Sequence, residues 1–143
     1  MNVLLLSCIS SKVSVGSLDE SHTALVNKTW SFGQGEDSVR MIQEMLINFP
    51  SCCVLDEETQ QPVAWILTYT SCAMGMLYTL PGHRGKGYAK VLISSMAKKL
   101  HALGYPVYCF IEEENTVSLR LFKNMGFTED PSYRATWLAF NSL

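Results

Sequence analysis

The chain has 143 residues, 48% of them hydrophobic and 17% charged, with a formal net charge of −2. That is the make-up of one ordinary globular domain, long enough to bury roughly two thirds of its unfolded surface. It argues against a nucleic-acid binder, whose electrostatic footprint is basic, and no apolar run approaches a membrane span. The charge is uneven: residues before Pro81 sum to −5 and those from Pro81 onward to +3. Five cysteines (Cys8, Cys52, Cys53, Cys72 and Cys109) form no C-x-x-C pair and are odd in number. Reduced thiols are expected rather than a zinc or disulfide framework, and no metal is expected. Cys109 lies inside an apolar strand pattern and reads as structural rather than nucleophilic.

Residues 1–9 hold Val3-Leu4-Leu5-Leu6 and fit a first strand, with residues 1–11 as an extra strand or a leader. A signal peptide would want a basic start and a longer apolar stretch, and no transit peptide is visible. An intracellular, soluble chain is therefore expected, cytoplasmic by default. Residues 12–16 fit a short strand. Asp19 is a good N-cap for a helix through Trp30, with His22 as a capping or surface residue rather than a ligand. Gly33 and Gly35 mark a loop. Asp37 or Ser38 caps a second helix whose apolar face is Val39, Ile42, Met45, Leu46 and Phe49.

The period then changes. Residues 52–55 and 63–69 read as strands across a polar turn that holds Glu57 and Glu58. Residues 74–80 are apolar enough for a third. A glycine-rich turn follows, Pro81-Gly82-His83-Arg84-Gly85-Lys86-Gly87-Tyr88-Ala89. Val91, Leu92, Met96, Leu100 and Leu103 then recur at helical spacing until Gly104 and Pro106. Residues 107–111 read as a strand, residues 116–125 as a helix with Leu119, Phe122 and Met125 inward, and residues 133–140 as a last strand. A mixed α/β sheet results, with the turn near its middle.

A strand that feeds a glycine-rich turn and opens a helix is suited to anions. The first backbone N–H groups of a helix lack partners, and the positive end of its dipole stands behind them. Gly85 and Gly87 put no side chain in the way, and Arg84 and Lys86 add charge. A phosphate or pyrophosphate cradle is the reading; a basic, solvated turn is the alternative. Lys86 is followed by Gly87, with no hydroxyl for magnesium, so this is not a Walker loop. Lys90 stands where a dinucleotide fingerprint needs its third glycine.

What remains, Arg84-x-x-Gly87-x-Ala89, resembles the [RQ]-x-x-G-x-[GA] signature of the GCN5-related N-acetyltransferase (GNAT) superfamily. Asn115-x-x-Ser118-x-x-x-Phe122-x-x-x-Gly126-Phe127 resembles that superfamily's closing motif. Tyr78-Thr79-Leu80-Pro81, Gly104-Tyr105-Pro106-Val107-Tyr108 and Asn27-Lys28-Thr29-Trp30 are similar to the C-terminal half of the glycine N-acyltransferase-like family, from about Val15 to about Leu138. The resemblance implies a single GNAT domain over 1–143, with a mostly antiparallel sheet flanked by about four helices. Full-length members carry a further N-terminal half, so a short paralogue or an excised domain is expected. A mitochondrial location is the other one the resemblance allows.

The resemblance also implies a chemistry. An acyl-CoA or acetyl-CoA donor is bound. Its pantetheine arm pairs with the backbone of Leu77, Tyr78, Thr79 and Leu80. Its pyrophosphate sits on the N–H groups of Gly85, Lys86, Gly87, Tyr88 and Ala89, beside Arg84. Asn115, Ser118 and Phe122 line the CoA arm. A small amine such as glycine attacks the thioester directly, with no acyl-enzyme, by positioning and carbonyl polarisation. Two positions depart from the family. Phe122 stands where many members have a proton-donating tyrosine, and Ala73 stands where glycine acyltransferases place a glutamate base. If the 107–111 strand continues, Glu113 falls on the face of Asn115 and is the candidate base; the alternative is a solvated acidic turn. His83 reads as a surface residue. Three activities follow as alternatives: a small-molecule N-acyltransferase, a CoA-binding regulatory module, and a peptide or protein N-acetyltransferase.

Overall fold

The computed structural model describes residues 13–33 and 35–130. The expected strand or leader at residues 1–9 and the expected last strand at 133–140 lie outside the described residues. The elements are β1 (Val13–Gly16), a 3-10 turn (Glu20–His22), α1 (Thr23–Thr29), α2 (Gly35–Asn48), β2 (Cys52–Asp56), β3 (Pro62–Thr68), β4 (Met74–Thr79), a second 3-10 turn (Pro81–His83), α3 (Tyr88–Ala102) and α4 (Thr116–Asn124). The chain divides into two compact units, Met1–Cys109 and Phe110–Leu143.

In the first unit the strands pair in the order β1-β2-β3-β4, each antiparallel to its neighbour. The register sets Val54 against both Val15 and Ala64, and Trp65 against Tyr78. All seven residues of β3 are buried because both faces of the sheet are covered. On one face Cys53, Trp65 and Leu67 join Val26 of α1 and Ile42, Met45 and Leu46 of α2 in one apolar cluster. On the other, α3 buries Val91, Leu92, Ile93, Met96 and Leu100, and Thr68 of β3 meets the Met96 sulfur at 3.7 Å. This is the layered α/β arrangement expected.

Local chemistry explains where the helices begin. Asp19 Oδ1 accepts from the Ser21 N–H at 2.8 Å, and His22 Nδ1 accepts from the Asp19 N–H at 3.0 Å. His22 thus completes a capping box, as a capping residue should. The start of α2 differs from expectation. It begins at Gly35, ahead of both Asp37 and Ser38. Gly35 takes a φ of 72°, which a non-glycine residue would resist. Ser38 is spent on tertiary structure instead, donating to Asn27 Oδ1 at 2.7 Å and tying α2 to α1. Val39 is left 37% exposed, off the core face.

Two further expectations are corrected. Leu103 lies past the end of α3 and is exposed. There the chain turns at Gly104 (φ 79°), and the Tyr105 N–H bonds back to the Leu100 carbonyl. Residues 107–111 do not form a strand. A single parallel bridge joins Cys109 to Met74, with the Met74 N–H donating to the Tyr108 carbonyl at 2.9 Å. The apolar content of this run is that of a strand, but Phe110 is exposed, and one bridge does not make a ladder. Among the described residues no helix is long and apolar enough to cross a membrane.

Candidate functional site

β4 carries an irregularity at its centre. The β3–β4 register shifts between Trp65 and Leu67. Opposite that shift, Met76 adopts a φ of 53°, rare for a non-glycine residue. The outer edge of β4 meets only the Met74–Cys109 bridge among the described residues. Most of one side of β4 therefore offers unpaired backbone groups to an extended ligand.

At the end of β4 the Leu80 N–H is held by the Val63 carbonyl at 2.9 Å, and a 3-10 turn leads into the glycine loop. Gly85 and Gly87 have φ values of 79° and 82°. A Cβ built on either would meet nothing within 4 Å. The glycines are thus demanded by backbone angle, and the space beside them is open. Among the described residues, the N–H groups of Gly85, Lys86, Gly87, Tyr88 and Ala89 find no backbone or side-chain acceptor. Gly87 is the N-cap of α3 and makes no side-chain cap. A run of consecutive main-chain donors lies beside open space at Gly85 and Gly87, a set that suits a pyrophosphate.

Arg84 does more than add charge. Its Nε donates to the Thr79 carbonyl at 2.9 Å. Its guanidinium lies 5.3 Å from the centroid of the Tyr78 ring. Tyr78 in turn stacks on Trp65, with centroids 5.6 Å apart at 28°. Arginine, tyrosine and tryptophan form a column from the loop to the fully buried Trp65. The loop is thereby tied to the end of β4. Lys86 stays exposed, and Tyr88 is buried beneath the loop as the first residue of α3. Burial, and secondarily the Asp56 charge, push the Tyr88 phenol above its usual range.

A cavity of about 210 Å³ lies on the α1 side of β4, walled by Val26, Thr29, Trp30, Trp65, Met76 and Tyr78. A larger hollow of about 460 Å³ at Asn27, Val39, Arg40 and Gln43 shares no residue with the cradle or with β4.

The structure therefore gathers Leu77, Tyr78, Thr79, Leu80, Arg84, Gly85, Lys86, Gly87, Tyr88 and Ala89 in the first unit. Ala73, at the position where the family pattern has a carboxylate, is fully buried at the head of β4. The remaining candidates belong to the second unit. There Asn115 caps α4, its Oδ1 accepting from the Ser118 N–H at 3.2 Å. Phe122 is buried and meets Phe127 edge-on at 5.1 Å. Glu113 stands exposed in a turn rather than on a continuing strand, which is the acidic-turn alternative. Among the described residues no group of three His, Cys, Asp or Glu could hold a metal. Sequence reasoning misses Trp65, Met76 and Tyr69 as site neighbours. Their strand spacing faces them towards the helices, but no local signal marks the kink at Met76.

Residues 52–138 match the model of the family described as FR47-like protein, and residues 6–50 match that of aralkyl acyl-CoA:amino acid N-acyltransferase. The human glycine N-acyltransferase is 42% identical over 123 residues, 86% of this chain and 41% of that protein. The rat glycine N-acyltransferase is 36% identical over 124 residues, 87% of this chain and 42% of that protein. The human glycine N-acyltransferase-like protein 2 is 35% identical, over 84% of this chain and 40% of its own length. The chain thus spans about two fifths of these relatives. Among solved structures, a Drosophila protein superposes with a TM-score of 0.77 at 22% identity, over 85% of this chain and 41% of that one. An aminoglycoside N-acetyltransferase in complex with CoA superposes with a TM-score of 0.70 at 17% identity, over 91% of this chain and 95% of that one.

Proposed function

We propose that this chain, which belongs to the FR47-like protein family of GNAT-type folds, is an acyl-CoA-dependent N-acyltransferase acting on a small, glycine-like amine. The observation that carries the reading is the cradle: five unpaired N–H groups at the head of α3, beside two left-handed glycines and next to a strand edge left open. That combination suits a ligand with a pyrophosphate at one end and an amide-bearing arm at the other, which is the make-up of CoA. The names of the relatives, glycine N-acyltransferase among them, support the amine acceptor.

In this reading the CoA pyrophosphate lies on Gly85 to Ala89 and the pantetheine arm runs back along β4 towards Met76. A backbone N–H at the Met76 kink, where the register shifts, then polarises the thioester carbonyl. The amine attacks from the α1 side, and the cavity beside Trp65 and Tyr78 gives room for the acyl chain or the acceptor. Chain positioning supplies most of the rate. Asn115 and Ser118 remain candidate contacts to the CoA arm, and Glu113 a candidate base.

A second reading, a CoA-binding regulatory module, is favoured by two observations. Phe122 carries no donor, and buried Ala73 carries no carboxylate. A peptide or protein N-acetyltransferase would share the donor site and differ in its acceptor. Thermal melting with acetyl-CoA and benzoyl-CoA, then thiol release with and without glycine or peptides, separates them. Saturating donor at about 100 times its dissociation constant should add roughly 2.7 kcal/mol. Amine-dependent release of CoA supports the enzyme, binding without turnover supports the module, and no melting shift removes both.

A further inference from the structure

Tyr69 is the last residue before the β3–β4 turn. Its N–H donates to the Ala73 carbonyl at 2.9 Å. Its ring lies against Gly75 of β4: a Cβ built on Gly75 would overlap Tyr69 Cε2 and crowd Cδ2 and Cζ. Gly75 has no positive φ to explain it, so the glycine is there to admit the ring. The ring packs against the same cluster as Met76 and Tyr78. Its hydroxyl has no hydrogen-bond partner among the described residues. It is half-buried, and burial holds the phenol above its ordinary value of 10.0, so it keeps its proton at neutral pH.

The position along β4 matters. Gly75 is four strand residues from Thr79, where the cradle is tied. At about 3.3 Å per residue that is about 13 Å, comparable to the reach of an extended pantetheine arm. Tyr69 therefore overlies Gly75 in the stretch of β4 where a thioester would end, and the residue after Gly75 in the chain is the kinked Met76.

We propose that Tyr69 is the proton carrier of the acyl transfer, the role left vacant by Phe122. The inference rests on the function proposed above. The amine nitrogen bonds to the thioester carbon to give a tetrahedral adduct. As the C–S bond breaks, the Tyr69 hydroxyl gives its proton to the CoA sulfur. The phenolate regains one from the nitrogen of the adduct, directly or through water. One proton thus moves from nitrogen to sulfur, and neither Ala73 nor Glu113 needs to act.

The test is steady-state kinetics on the full chain with Tyr69→Phe, which keeps the ring on Gly75 and deletes only the hydroxyl. The expected result is a fall in kcat of about 100-fold, with the KM for acyl-CoA within threefold and an unchanged melting rise with CoA. Gly75→Ala, which pushes the ring aside, should also depress kcat, whereas Lys99→Met, in the last turn of α3 and away from the cradle, should leave it within threefold. A Tyr69→Phe enzyme with wild-type kcat, or a Glu113→Gln enzyme that loses turnover instead, overturns the role. A wild-type chain that binds CoA and releases none with any amine overturns the proposed activity itself, and this inference with it.

Discussion

Arg84 donates from Nε to the main-chain oxygen of Thr79 at 2.9 Å. The bond spans five residues, from the last residue of β4 to the head of the glycine turn. A side chain that the sequence presents as phosphate charge is thus also a strut that sets where the cradle begins. Arg84→Ala removes both, and the Kd for CoA should rise by about ten- to a hundredfold, as expected for a lost charge-assisted contact. Arg84→Lys restores the charge but not the planar fork, so its Kd should fall between the two. Isothermal titration with CoA measures both, and equal affinity for Lys and Arg would show that the strut has no part in binding.

Gly87 sits at a φ of 82° with open space where a side chain would go. Gly87→Ala meets no clash, so its cost is backbone strain of about 1–2 kcal/mol. The melting temperature should fall by about 3–6 °C. The CoA-induced rise should also shrink, because a methyl group would intrude on the open space. If the variant melts like the wild type, the left-handed turn is not required in solution.

Lys99 makes a useful control, in the last turn of α3 and so at the other end of that helix from the cradle. Its Nζ donates to the Ser51 carbonyl at 2.8 Å and to Ser17 Oγ at 3.2 Å, pinning α3 to the segments that flank β1 and β2. Lys99→Met keeps most of the apolar stem and loses the bonds. Stability should drop by about 1–2 kcal/mol in urea unfolding, with CoA affinity unchanged. A changed affinity would place Lys99 in the binding machinery.

The buried thiols give a pH test. Burial pushes Cys53 and Cys109 from the ordinary 9.0 to about 11, and burial also raises Cys52. The folded state thus favours the neutral thiol. Its contribution to stability is complete below the unfolded value of 9.0 and is lost as pH rises from 9.0 towards about 11. Native protein at pH 8 should therefore show slow reaction of the fully buried Cys53 with a disulfide reagent, slower than that of the half-buried Cys109, and fast reaction of both once unfolded. Rapid native modification of Cys53, read by mass spectrometry, would contradict the burial.

Much of the fold is legible in the order of residues alone. Apolar runs of strand length mark β2, β3 and β4, the 3.6 period marks α3, and the cap residue Asp19 marks the turn into α1. These signals are local, because burial of one face imposes a spacing that the chain must carry. The cradle is legible for the same reason: a glycine pair between a strand and a helix leaves N–H groups without partners whatever the rest of the molecule does.

What the tertiary structure decided depends on partners far along the chain. Ser38 has the chemistry of a cap but bonds to Asn27, because α1 lies within reach. Residues 107–111 have the composition of a strand, but a strand exists only where a neighbour completes its ladder, and Met74 supplies one bridge. Glu113 loses its expected strand face with them. The column of Trp65, Tyr78 and Arg84, and the ring of Tyr69 on Gly75, join residues whose pairing is set by register and by the shift at Met76. The sequence by itself determined the family, the strand–turn–helix and its anion chemistry, since those follow from backbone angles and spacing. Only the packing of one strand against the next decided which side chains stand beside that chemistry.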